Sequence, residues 1–146
     1  DRVFTHRDYH SRNIMIHNDE LRIIDFQDAR MGPCQYDLVS LLKDSYIVLD
    51  ESKRNALLEY YIECMDQSGI RIKRDLFYKI FDWMSVQRNL KAIGTFAYQS
   101  KVLNNDRYLQ YIEPTLEYIR QTLTNNRDLE FLRPVLNSAI PTLNVT

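Results

Sequence analysis

His6-Arg7-Asp8-Tyr9-His10-Ser11-Arg12-Asn13, followed by Ile23-Ile24-Asp25-Phe26, is the stretch on which the reading of this chain turns. It sets an Asp, an Asn and a second Asp in the order that phosphoryl transfer from ATP demands. One carboxylate must meet the hydroxyl that attacks the γ-phosphate, while an amide oxygen and another carboxylate hold Mg²⁺ against phosphate oxygens. Asp8 suits the first task, Asn13 and Asp25 the second. Taken singly, Asp8 suits a turn cap, Asn13 a left-handed backbone position and Asp25 a strand end. The ordered set should arise by chance in only on the order of one in 10⁵ chains of this size, so the joint reading outweighs the separate ones.

Working outward, Val3 to Thr5 reads as a short strand leading into the loop His6 to Arg12. Ile14-Met15-Ile16, then His17-Asn18-Asp19-Glu20, then Leu21 to Asp25 read as strand, polar turn and strand. A hairpin closed there brings the start of its first strand beside the end of its second, so Asn13 and Asp25 can share one cation.

The remaining sequence bounds the class. The 146 residues suit one globular domain, and 45% apolar with 12% aromatic content excludes a disordered or collagenous chain. Nineteen basic residues are interspersed with twenty acids for a net charge of -1, which leaves no basic field for a nucleic-acid partner. No apolar run reaches the ~18 residues of a membrane span, and no secretory signal opens the chain. Cys34 and Cys64 follow neither a disulfide nor a metal pattern. The expectation is therefore a cytoplasmic protein with reduced thiols and no membrane partner.

Beyond Asp25 the periodicity becomes helical. Helices are expected over Tyr36 to Val48, Asp50 to Gln67 with Gly69 as its stop, and Arg74 to about Val102, where Gly94 marks a break or a close helix contact. Two more follow over Asp106 to Ile112 and Pro114 to Leu123, and a last over Asp128 to Ser138 interrupted by Pro134. The predicted fold is α+β and mostly α-helical, with a small β-hairpin carrying the loop.

His6 to Asn13, Ile24 to Ala29 and Gly32-Pro33 through Tyr36-Asp37-Leu38 to Leu42 resemble the aminoglycoside phosphotransferase and choline kinase superfamily, a protein-kinase-like fold acting on small molecules. Asp25-Phe26-Gln27-Asp28-Ala29, with Trp83-Met84 and Gln87 to Ala97, resembles more narrowly the bacterial anomeric kinases of N-acetylmuramate and N-acetylglucosamine. That resemblance implies ATP and Mg²⁺ as cofactors. It makes Asp8 the catalytic base or hydroxyl-orienting group, Asn13 and Asp25 the metal ligands, and His6, Arg7 and Asp37 supports of the loop.

With three glycines, nothing in the sequence resembles the Gly-rich loop and paired Lys that such enzymes need. The expectation is thus that residues 1–146 form the C-terminal lobe, that the N-terminal ATP-binding lobe is its missing partner, and that the lobe alone is inactive. Only eleven residues lie between Asp25 and Asp37, too few for a peptide-docking activation segment, which favours a small-molecule substrate. Candidate substrate contacts are His10, Arg12, Gln27 and Asp28, with Gln87, Arg88 and Lys91 on a shared helix face. The alternative for each is a solvated or internally paired polar group. At the level of function the alternatives are a kinase of aminoglycosides, choline or homoserine-like alcohols, and a non-catalytic binding module.

Overall fold

The computed structural model describes residues 2–145, which separate into two compact units that divide between Phe81 and Asp82. In the first unit, Asn18 and Asp19 both adopt positive φ (52° and 59°), the two-residue turn whose twist matches an antiparallel pair. They join β2 (Ile14–His17) to β3 (Glu20–Ile23) in the register Ile14↔Ile23 and His17↔Glu20. The turn is tighter than the four residues expected, because Asn and Asp tolerate the left-handed backbone and His17 and Glu20 are left to pair. Strand β3 stops before Asp25, whose own φ is +65°.

A second two-stranded sheet was not predicted. It joins β1 (Val3–Thr5) to β4 (Arg30–Gly32), and the Thr5 hydroxyl donates to the Arg30 carbonyl at 2.8 Å. A Cβ at Gly32 would stand 2.9 Å from that hydroxyl oxygen, so the close approach requires glycine. Phe4, Met15, Ile16, Leu21 and Met31 on the two sheets are exposed, as is Phe26 between β3 and β4.

The helix α1 (Gln35–Leu42) ends well short of the expected Val48. Asp44 stops it, because its carboxylate accepts the Tyr46 N–H at 2.8 Å and so offers the backbone a turn in place of another helical bond. The next helix, α2 (Glu51–Gln67), starts where the Asp50 side chain accepts from Lys53 N. It ends with Gly69 at φ +80°, the Gly69 N–H on Asp66 O and the Ile70 N–H on Met65 O, a Schellman closure. α1 packs on α2, and Tyr36, Val39, Leu42, Leu58, Ile62, Phe77 and Phe81 form this unit's core.

Glu59 on α2 accepts from Tyr78 and, at 2.5 Å, from Arg74. These bonds, Tyr78 foremost, hold its carboxyl below the ordinary 4.5. A lowered folded value means the stabilisation is present above pH 4.5 and is lost as pH falls through that lowered value. Glu59→Gln is therefore expected to flatten the acid side of the melting-temperature profile below pH 4.5 and leave its neutral side nearly parallel to wild type, as read by circular dichroism.

Helix α3 (Arg74–Lys101) runs unbroken through Gly94, where a Cβ would meet nothing within 4 Å; Gly94 is neither a break nor a close contact. In the second unit the expected Asp106 to Ile112 helix is a 3₁₀ segment, Asp106–Tyr111, and α4 (Ile112–Asn125) begins at Ile112 so that Pro114 falls in its first turn. Pro134 likewise opens a helix, α5 (Arg133–Ala139), after a 3₁₀ segment Arg127–Leu132. It does not interrupt one. Val86, Leu116, Ile119, Leu123, Leu129, Leu143 and Val145 form the core. Arg120 secures the tail by donating from Nε to Leu143 O and from Nη2 to Thr142 O, each at 2.8 Å. Among the described residues no helix is long and apolar enough to cross a membrane.

Candidate active site

The loop after β1 turns sharply because Arg7 takes a left-handed backbone, φ +75°, which a non-glycine residue holds only when its neighbours constrain it. The constraint comes from the first turn of α1. One oxygen of Asp37 accepts the His6 N–H at 2.6 Å and the other accepts the Arg7 N–H at 2.9 Å. His6 is buried and joins two segments: Nε2 donates to Ile24 O at 2.9 Å, and Nδ1 accepts the Asp8 N–H at 3.3 Å. The ring thus carries its proton on Nε2 and ties the backbone of Asp8 to the residue preceding Asp25.

After Asp8 the chain makes a single 3₁₀ turn, Ser11–Asn13, and enters β2. Asn13 is buried, and its Nδ2 donates to the Asp8 carbonyl at 2.9 Å and lies 3.4 Å from Asp25 Oδ2. The Ile24 N–H returns to Asn13 O at 3.0 Å, closing the mouth of the hairpin. Asp25 is exposed, with its other oxygen accepting from Gln27 Nε2 at 2.7 Å. Hence the structure joins His6, Arg7, Asp8, Asn13, Asp25, Gln27 and Asp37 in one hydrogen-bonded set. Asp28 enters it through its carbonyl, 3.4 Å from Arg7 Nη1.

The donor chemistry at the hairpin mouth suits a hard divalent cation. Asn13 directs its amide nitrogen to Asp8 O, so its oxygen is the group available to a metal, and Asp25 adds a carboxylate. Two protein oxygens are what Mg²⁺ takes when phosphate oxygens and water complete its octahedron. Among the described residues no group of three or more His, Cys, Asp or Glu could cage a metal without such a partner. An open hollow of ≈ 380 Å³ adjoins the loop, lined by Phe4, His6, Tyr9, Ile23, Phe26 and Asp37.

His10 and Arg12 gather around Tyr46, a residue that the motif reading passed over. The Arg12 guanidinium lies 3.8 Å over the Tyr46 ring, and the His10 ring meets the same ring edge-on at 5.2 Å. Asp44, two residues earlier, was missed as well; an Asp just after an apolar helix is a turn signal that could have drawn attention to it. Gln87, Arg88 and Lys91 lie on α3 within the second unit, with Gln87 and Lys91 exposed and Arg88 half-buried.

Comparison with known proteins gives a class first: residues 1–70 match the profile described as the phosphotransferase enzyme family. Narrower relatives follow. Over 122 residues, 82% of this chain, it is 39% identical to the N-acetylmuramate/N-acetylglucosamine kinase of Neisseria meningitidis serogroup B, covering 36% of that protein. The kinase of the same name from Pseudomonas aeruginosa is 36% identical over 121 residues, 82% of this chain and 35% of its own length. The equivalent from Pseudomonas putida is 34% identical over 122 residues, again 82% of this chain and 36% of its own. The resemblance drawn from the motifs is thus found in a family profile and in named relatives. The chain spans about a third of the length of these curated relatives.

Proposed function

We propose that this chain is the catalytic, C-terminal lobe of an ATP- and Mg²⁺-dependent phosphotransferase whose acceptor is the anomeric hydroxyl of an N-acetyl amino sugar freed in cell-wall recycling. The observation that carries the phosphotransfer reading is the meeting of Asn13 and Asp25 at the hairpin mouth, with the Asn13 amide bonded to the Asp8 carbonyl. In this reading Asn13 Oδ1 and the Asp25 carboxylate hold the cation, which when bound offsets charge between phosphate oxygens. Asp8 orients the acceptor hydroxyl and takes its proton. Asp37 and His6 keep Asp8 at a fixed distance from the metal pair, so the gain is mainly positional and electrostatic.

Exposed apolar side chains of the two sheets, among them the cross-strand pair Ile16 and Leu21, support our placing an N-terminal, nucleotide-covering lobe against this unit. The relatives' names support the sugar, and half-buried free thiols at Cys34 and Cys64 support a reducing, cytoplasmic setting. Within the first unit Gln27 and Asp28, with His10 and Arg12, remain the proposed acceptor contacts; Gln87, Arg88 and Lys91 remain candidates on a helix face of the second unit.

The test is a panel assay of a full-length protein carrying this lobe, with N-acetylmuramate, N-acetylglucosamine, kanamycin, choline and homoserine as acceptors. Both N-acetyl sugars are expected to lead, to give a phosphorus resonance coupled to sugar H1, and to give no turnover when residues 1–146 are assayed alone. Preference for kanamycin or choline over both sugars overturns the substrate, and turnover by the lobe alone overturns the need for a partner lobe.

A further inference from the structure

Asp44 is 3% exposed, and its carboxylate takes two partners, both backbone N–H groups. Oδ2 accepts from Ser11 and Oδ1 from Tyr46, each at 2.8 Å. Burying a carboxylate is unfavourable unless its oxygens are hydrogen-bonded, and two diverging donors are the arrangement a carboxylate satisfies and a single neutral oxygen does not. One of those donors, Ser11, opens the 3₁₀ turn that delivers Asn13. Within that turn the Asn13 N–H bonds His10 O at 2.9 Å and the Ile14 N–H bonds Ser11 O. The Ser11 N–H has no acceptor inside the turn, and Asp44 supplies one from 33 positions away.

The loop is therefore held at two points. Asp37 grips it at His6 and Arg7, before Asp8, and Asp44 grips it at Ser11, between Asp8 and Asn13. The second grip also places the Tyr46 ring on which Arg12 stacks and which His10 abuts. We infer that Asp44 is a positioning residue for the metal-binding end of the loop: it sets the orientation of Asn13 through the Ser11 N–H, without touching the cation. The inference rests on the assignment of Asn13 as a metal ligand. Asp44 is 3% exposed and bonded to the Ser11 and Tyr46 backbone, whereas Asp25 is exposed at the hairpin mouth, which sets Asp44 among the supports of the loop.

Two substitutions remove the grip from opposite sides. Asp44→Asn keeps the size of the side chain and loses one of the two acceptors. Ser11→Pro removes the backbone donor together with the side-chain hydroxyl; His10 is already extended, φ -123° and ψ 168°, as a residue before proline prefers, and position 11 begins a helical turn where proline fits. Removing an outer support of a metal ligand typically weakens metal binding 10- to 100-fold. In the full-length protein with a non-hydrolysable ATP analogue, each variant is expected to weaken Mn²⁺ binding about tenfold, measured by electron paramagnetic resonance of the free ion. The double variant is expected to be no weaker than the weaker single one, because both break the same bond.

A purely structural Asp44 would lower the unfolding midpoint and leave the Mn²⁺ affinity of the folded fraction unchanged. Affinities of both single variants within about twofold of wild type, or effects that multiply in the double variant, overturn the inference. Absence of nucleotide-dependent Mn²⁺ binding by the wild-type protein overturns the underlying ligand assignment, which keeps the two failures distinct.

Discussion

Asp8→Asn, in the full-length protein, is expected to lower kcat about 10²- to 10⁴-fold while leaving the KM for Mg²⁺-ATP within about twofold. The reasoning follows from what each carboxylate faces. Asp8 lies on the loop segment held between Asp37 and Asp44, and its assigned task concerns only the acceptor hydroxyl. Asp25 stands at the hairpin mouth opposite Asn13, so Asp25→Asn removes a negative charge from the cation. It should raise both the Mg²⁺ requirement and the KM for ATP as well as lowering kcat. The isosteric change preserves volume at both positions, which keeps the comparison free of packing effects. Steady-state kinetics at several Mg²⁺ concentrations separate the two, and the same pattern from both variants would remove the division of labour.

The second large effect is expected at Asp37. Asp37→Ala deletes two charge-assisted hydrogen bonds, to His6 N and Arg7 N, that hold a left-handed arginine. Bonds of this kind are worth about 1.5 to 3 kcal/mol each, and partial exposure lets water replace some of that, so a local loss of about 2 to 4 kcal/mol is expected. Arg7 would relax toward negative φ and carry Asp8 away from Asn13 and Asp25. Hydrogen exchange at residues 6–8 should accelerate and turnover should fall roughly 10²-fold, since misplacement of about an ångström at a reacting group has an effect of that size. Asp37→Asn, which keeps one acceptor, should lie between alanine and wild type. Wild-type turnover in the alanine variant would show that the loop holds its shape without this carboxylate.

Some of this arrangement is legible in the chain itself because the signals are local. The polar run His17-Asn18-Asp19-Glu20 between two apolar runs reads as a hairpin turn, and period-two pairing outward from it sets position 14 opposite 23, so Asn13 and Asp25 converge without any knowledge of the rest. Asp50 and Gly69 bound α2 by side-chain capping and left-handed closure, both readable from residue type. Asp25 and Asp37 are close enough in sequence to exclude a long intervening segment.

Tertiary structure decided the rest, where the partners are distant or the local signal is too short. Val3 to Thr5 reads as a strand from its residue types, but three-residue β4 carries almost no periodicity, and only its pairing with β1 across the loop defines it. Helix α1 was expected to run on to Val48 because its apolar spacing continues, whereas Asp44 ends it by capturing backbone N–H groups at Tyr46 and, far back, at Ser11. Pro134 reads as an interruption until a 3₁₀ segment is seen to precede it and a new helix to start there. Leu143 lies in a tail without pattern, yet it is fully buried because Arg120 binds the carbonyls of Thr142 and Leu143. Residue types and spacing thus set which groups perform the chemistry and how the hairpin brings two of them together. The bonds that hold those groups still come from residues about 30 positions away, and only the folded chain brings such partners within reach.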